Sequence, residues 1–213
     1  MDGWSLTVRC YLPFRHLTDT DLWRRTVTAT AGTARRGYRG GVRSDAFSLT
    51  VECVRWAQLA RYDWDPAAGI LRRPGEDGYA VVARPGDRAE LLEVGDDGTR
   101  ERVLYAASAE VLERFVMGLL GDDIRDDLDL PYLELPSAAA DVARGYSLGP
   151  LESGSRTLFR GVEPVAAAPG LSTSVAALVP LSHFLGHTVD DLRRSYLSER
   201  GAPLLGAGGY AGC

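Results

Sequence analysis

The chain has 213 residues, 45% of them hydrophobic and 25% charged, which suits one globular domain with a sizeable core. Residues 1–45 carry eight arginines and four aspartates, a net charge of +4, whereas the remainder carries 16 arginines and 25 acidic residues, a net charge of −9. The acidic main part argues against nucleic acid or an anionic membrane as a partner and favours a basic protein surface.

The predicted organisation has three parts. Residues 1–45 include a stretch rich in Thr, Ala, Gly and Arg without a sustained apolar period. Such a segment buries little surface, so we expect a disordered extension or an over-extended start, with a functional basic arm as the alternative. The main domain is expected to cover 46–205, and residues 206–213 are expected to form a flexible tail.

The main domain is predicted to begin with a helix and a meander of strands. Ser48 is placed to cap the helix, Trp56 lies on its apolar face, and Trp64 falls near its end. Turns rich in Gly and Asp separate the short strands that follow, as in antiparallel hairpins. These strands are Ile70 to Arg72, Tyr79 to Ala83, Ala89 to Val94 and Arg102 to Tyr105.

A second helix, from Ser108 to Leu120, is predicted to cover one face of this meander. Ser108 is a suitable N-cap, and Gly121 is predicted to end the helix because glycine tolerates the left-handed conformation. Five aspartates follow within eight residues, offset only by Arg125: Asp122, Asp123, Asp126, Asp127 and Asp129. We interpret this run as an acidic loop, either a solvated connection or a surface presented to a partner.

The second half repeats the pattern in shorter form. Three more strands are predicted at Tyr146 to Leu151, Arg156 to Phe159 and Val162 to Ala167. A helix from Thr173 to Leu185 follows, which Pro180 is expected to kink or shorten, and Thr188 is placed to cap a last helix. The predicted fold class is α+β, with antiparallel β-meanders and helices packed on the sheet in a single compact domain.

The sequence lacks the patterns of an enzyme. His183 and His187 are four residues apart, but no third ligand completes a metal site. A chain without lysine contains no Walker A motif, no G-x-S-x-G elbow occurs, and Cys53 lies on the apolar face of a predicted helix. We therefore expect no catalytic residues, no metal and no cofactor.

The expected location is the cytoplasm. Three cysteines at wide spacing form neither a disulfide framework nor a CxxC pair, which favours a reducing compartment. No apolar run approaches the roughly 20 residues that span a bilayer. The first residues also lack the basic head and apolar stretch of a signal peptide.

The order of these elements resembles one known family over roughly residues 48–205. The quoted pieces are W-A-Q-L-A-R-Y after residue 55, the Ser108 helix with its acidic exit, G-Y-S-L-G at 145–149, and L-S-H-F-L-G-H-T-V-D-D-L-R-R-S-Y-L at 181–197. They are similar to the actinobacterial immunity proteins that neutralise the tuberculosis necrotizing toxin, the Immunity protein 61 family. That resemblance implies an antitoxin that binds a secreted NAD glycohydrolase toxin inside the producing cell and blocks its dinucleotide pocket.

The resemblance assigns no contact residues, so the candidates for toxin binding come from exposure and charge. They are the aspartates of the predicted acidic loop, the predicted hairpin tip Glu76-Asp77 and, as a possible aromatic anchor, Trp64. The alternative hypothesis is a non-catalytic ligand-binding or scaffolding module of the same fold.

Overall fold

The computed structural model describes residues 47–75, 78–206 and 209–211, and the predicted extension of residues 1–45 lies outside them. Its main sheet contains β1 (Asp63–Asp65), β2 (Ile70–Arg72), β3 (Gly78–Arg84), β4 (Arg88–Val94), β5 (Arg100–Ala106), β6 (Tyr146–Glu152), β7 (Ser155–Arg160) and β8 (Glu163–Pro169). The helices are α1 (Val51–Leu59), α2 (Ala109–Asp127), α3 (Leu171–Phe184) and α4 (Val189–Leu197). A 3₁₀ turn covers Ala139–Asp141, and a short pair, β9 (Leu205–Gly206) and β10 (Gly209–Tyr210), follows α4.

The sheet consists of two antiparallel meanders joined edge to edge. The strand order is β1-β2-β3-β4-β5-β8-β7-β6, and each neighbouring pair is antiparallel. The join lies between β5 and β8, where Tyr105 is opposite Ala167 and Ala106 is opposite Ala166. The predicted α+β class with antiparallel meanders is confirmed, and the predicted strands are present within two residues of their expected ends. The three-residue strand β1 was not predicted.

Helix α2 lies at the centre of the core. It packs on β4 and β5 and contacts α1, α3 and α4. Its fully buried residues Leu112, Val116 and Leu120 recur every four positions, and Ile124 continues the same series one turn later. This apolar stripe faces alternate residues of the strands, including Leu91 of β4. Burial of these side chains from both layers is the main source of stability.

The helix caps agree with the sequence at two of three predicted positions. The side chain of Ser108 accepts a hydrogen bond from the Val111 amide, and that of Thr188 accepts one from the Asp191 amide, both as predicted. The predicted cap at Ser48 is wrong. The N-cap is Thr50, whose side chain accepts a hydrogen bond from the Cys53 amide, and α1 begins at Val51. Helix α3 continues through Pro180 to Phe184, so the proline does not shorten it.

The predicted helix end at Gly121 is also wrong, because α2 continues to Asp127. A glycine is needed at position 121 for the packing of α2 against α4, and it does not end the helix. A Cβ atom at this position would lie 2.3 Å from Cδ1 of Tyr196, which is buried on α4. The missing side chain therefore lets the Tyr196 ring lie directly against the α2 backbone.

Replacing Gly121 with alanine is expected to destabilise the fold by about 1–3 kcal/mol. Alanine gains up to about 1 kcal/mol over glycine in helix propensity, but the clash with the Tyr196 ring is larger. Urea unfolding of G121A measures the loss. The double variant G121A/Y196L should lose less than the sum of the two single changes, since the smaller side chain makes room for the new methyl group. Strict additivity would contradict this packing role.

Part of the predicted flexible tail is paired with the rest of the domain. Tyr210 in β10 is opposite Leu205 in β9, and its hydroxyl donates a 2.9 Å hydrogen bond to the Pro136 carbonyl. The Tyr210 ring also stacks on His183 with 3.4 Å between the ring centroids. In the described part of the tail, residues 206 and 209–211, the chain thus contacts α3 and the segment before the 3₁₀ turn.

Candidate partner-binding surface

The predicted acidic loop is the C-terminal end of a helix. Asp122, Asp123, Asp126 and Asp127 belong to the last turns of α2, so the loop prediction is wrong for these four residues. Leu128 is the C-cap of the helix, and Asp129 then adopts a left-handed conformation with φ of 53°. The carboxylates therefore project from a rigid element, at fixed angular spacing, instead of from a mobile connection.

Arg125 fixes this helix end to the rest of the protein. The side chain is fully buried, although it lies within the acidic run. Its guanidinium donates to the carbonyls of Pro131, Tyr196, Ser198 and Glu199, with distances of 2.7 Å to Pro131 from Nε and 2.7 Å to both Tyr196 and Ser198 from Nη1. These acceptors include carbonyls at the C-terminal end of α4, where a cation interacts favourably with the helix dipole.

Asp127 joins the same helix end to the β1–β2 ribbon. Its Oδ2 lies 2.9 Å from Nε of Arg61, which precedes β1, and its Oδ1 lies 3.4 Å from Nη2 of Arg73, which follows β2. The Asp127 side chain is half-buried between these two guanidinium groups. The carboxylate is therefore an internal clamp, because its charge is already neutralised by two cations.

The other aspartates differ in their surroundings. Asp123 is half-buried and lies against Tyr62, whose pKa is raised chiefly by burial and further by its hydrogen bond to this carboxylate. Asp126 is exposed and accepts a 2.8 Å hydrogen bond from the Tyr132 hydroxyl. Asp122 reaches solvent, but desolvation of its carboxylate by the nearby protein, and next the negative charge of Asp123, raise its pKa to about 6.

The raised pKa of Asp122 gives a prediction for stability against pH. In the folded protein this carboxyl favours its neutral form more than in the unfolded chain, so its ionisation costs stability as pH rises from about 4 to about 6. D122N should therefore increase the melting temperature at pH 7.5 and leave it unchanged at pH 4. Since Asp122 reaches solvent, water screens part of the effect and the gain should be small.

A matched control separates this local effect from the general removal of a negative charge. D129N removes one carboxylate from the same surface and should give a smaller gain at pH 7.5 than D122N. Calorimetric scans of both variants at the two pH values make the comparison. Equal gains from D122N and D129N would show that only net charge matters.

Trp64 lies in a strand, so its prediction as a residue at the end of the first helix is wrong. It is the middle residue of β1, opposite Leu71 of β2, and its half-buried side chain packs against the core. The strand begins two residues after Arg61 and pairs with the strand that precedes Arg73, so the two arginines that hold Asp127 flank the ribbon that contains Trp64. The structure thus brings one aromatic candidate and the acidic helix end to the same end of the molecule. Glu76 and Asp77 lie outside the described residues.

The residues with possible metal or thiol chemistry are occupied by structural contacts. Nε2 of His183 donates a 2.7 Å hydrogen bond to the Asp141 carbonyl, and burial lowers its pKa. Burial also raises the pKa of the Cys53 thiol, which keeps it protonated. Across residues 47–75, 78–206 and 209–211, no group of three His, Cys, Asp or Glu side chains is arranged to hold a metal ion. None of the helices described in those ranges has the length and apolar character needed to cross a bilayer.

Comparison with known proteins identifies similar sequences and one similar structure. The profile of the family Immunity protein 61 matches residues 56–204. The Immunity factor for TNT of Mycobacterium tuberculosis and the Immunity factor for TNT homolog of Mycobacterium bovis BCG are each 31% identical over 103 residues, 47% of this chain. The matched region spans 56% of the length of these two relatives.

The solved structure of Rv3902c from M. tuberculosis is similar to this chain in fold. The TM-score is 0.65 at 23% sequence identity, and the superposition covers 77% of this chain and 97% of the other. At this level of identity the likeness confirms the arrangement of sheet and helices, and it carries no information about contact residues.

Proposed function

The chain belongs to the Immunity protein 61 family, and on that premise we propose that it is an antitoxin for a toxin of the tuberculosis necrotizing toxin (TNT) type. It binds the toxin inside the producing cell and inhibits its cleavage of NAD. The observation that carries the proposal is the family match over residues 56–204, supported by two relatives described as immunity factors for TNT. As a member of an immunity-protein family, the chain acts by binding and not by catalysis.

The described surface offers features that suit a protein partner. The end of α2 presents exposed carboxylates on a helix that Arg125 and Asp127 fix in place. A rigid surface loses little conformational entropy when it binds, which favours high affinity. The negative charge suits a partner with a basic surface around its active site, such as one that attracts the phosphates of NAD.

Inhibition proceeds by occlusion of the NAD pocket in this proposal. A toxin that drains the NAD pool must be held almost completely, which requires a dissociation constant near or below about 1 nM, or about −12 kcal/mol. An interface of roughly 1,600 Å² in total is sufficient for that affinity. Such an interface covers a large enough area to close the mouth of a small-molecule pocket.

The test of occlusion is a binding measurement in the presence of a dinucleotide. The full chain is titrated into an inactive variant of the cognate toxin, first alone and then with increasing concentrations of a non-hydrolysable NAD analogue. A 1:1 complex is expected, with an apparent dissociation constant that rises in proportion to the analogue concentration. An affinity that does not depend on the analogue would contradict occlusion while leaving antitoxin binding intact.

A further inference from the structure

Three large apolar side chains are exposed around the end of α2. Leu128 is 48% exposed, Tyr132 is 56% exposed and Leu197 is 41% exposed. They come from three separate segments: the helix cap of α2, the chain that follows it, and the last residue of α4. Isolated exposed leucines are common on protein surfaces, but large apolar side chains grouped in one place mark interaction sites.

The buried guanidinium of Arg125 brings the backbone of these three segments together. It donates to the Pro131 carbonyl, directly before Tyr132, and to the carbonyls of Tyr196 and Ser198, which flank Leu197. Leu128 is three residues beyond Arg125, and its amide donates to the Ile124 and Arg125 carbonyls. One side chain thus fixes the backbone behind all three exposed residues. We call Leu128, Tyr132 and Leu197 the apolar triad.

Charged groups of both signs lie around the apolar triad. Asp126 accepts a hydrogen bond from the Tyr132 hydroxyl. Asp129 directly follows Leu128 in the chain, Glu199 is two residues after Leu197, and both are exposed. Arg193 and Arg194 are exposed on α4, and Arg200 is exposed in the chain after it. An apolar centre with a charged rim is the usual anatomy of a protein interface, in which the centre supplies affinity and the rim supplies orientation and rate.

We propose that the apolar triad is the affinity-determining centre of the toxin-binding surface, and that the carboxylates around it steer a basic partner toward it. This inference rests on the proposed function and adds to it the residues that hold the complex. The partner surface it fits has an apolar depression bordered by arginine or lysine side chains. Because Arg125 already fixes the backbone, little order remains to be gained on binding, and the triad forms its contacts without rearrangement.

The experiment compares association and dissociation rates of the full chain and the cognate toxin by surface plasmon resonance. The double variant L128A/L197A should weaken binding at least about 30-fold, mainly through faster dissociation, and Y132A should act in the same direction. V162A and L171A are matched controls, because these side chains are 91% and 65% exposed at the β7–β8 turn and at the start of α3. Both controls should bind like the wild-type chain.

Each outcome separates the inference from the proposed function. If the wild-type chain binds the toxin and L128A/L197A binds equally well, the inference is overturned and the antitoxin function stands. If the wild-type chain does not bind, both are overturned. Light scattering of the chain alone adds a further test, since a dimer that L128A/L197A converts to a monomer would assign the triad to self-association. All variants change exposed residues and should keep the wild-type melting temperature.

Discussion

Replacing Arg125 with methionine is expected to lower the free energy of unfolding by about 3–5 kcal/mol. The change removes the donors for four backbone carbonyls, those of Pro131, Tyr196, Ser198 and Glu199, and leaves them without their charged partner. It also removes the hydrogen-bonded link between the end of α2 and the end of α4. Since small domains have total stabilities of only about 5–15 kcal/mol, this is a large fraction.

Urea unfolding followed by circular dichroism measures the loss. R193M is the matched control, because Arg193 is exposed on α4 and forms an ion pair of 3.6 Å with the exposed Asp190. An exposed pair of this kind contributes at most about 1 kcal/mol. R125K keeps the charge but has fewer donors in a different geometry, so its stability should lie between that of R125M and that of the wild-type chain. A loss in R125M no larger than in R193M would contradict the anchoring role.

Neutralising the exposed carboxylates at the end of α2 is expected to slow toxin binding. The triple variant D122N/D126N/D129N should reduce the association rate constant by about tenfold or more at low salt, with little effect on the dissociation rate. The reason is that solvated charges act over about 8–10 Å at physiological salt and guide encounter more than they hold the complex. Stopped-flow measurements from about 20 to about 500 mM NaCl, over which screening of the charges rises from weak to strong, give the salt dependence.

Asp127 supplies the contrast for this prediction. Its carboxylate is held by Arg61 and Arg73, so D127N should reduce stability and affect the association rate less than the triple variant. If the triple variant instead raised the dissociation rate by orders of magnitude, the carboxylates would be buried anchors in the complex. The steering role would then be wrong.

The sequence predicted the architecture well because apolar periodicity reports directly on burial. The meanders and the apolar face of α2 follow from alternation in the strands and from the four-residue spacing of Leu112, Val116 and Leu120. Gly121 misled the prediction because glycine serves two purposes, helix termination and close approach. Ile124, four residues after Leu120, was the signal that the helix continues.

The interior of the candidate surface could not be predicted from local sequence. Arginine is seldom fully buried, and three of the carbonyls that accept from Arg125, at the end of α4 and just after it, are 71 to 74 residues away along the chain. Contacts between distant segments decide this case, and a pattern of neighbouring residues does not contain them. Trp64 pairs locally with Leu71, but β1 has only three residues, too few for an alternating pattern to indicate a strand.

We propose that this protein silences a NAD-cleaving toxin by binding it. The decisive experiment is the titration of the full chain into the cognate toxin, with NAD hydrolysis as the readout. Activity should fall linearly to zero near one equivalent, with both chains unaltered in mass and with no NAD consumed by this protein alone. Full toxin activity at every ratio would contradict the antitoxin function, and inactivation at far less than one equivalent would show that the protein acts as an enzyme.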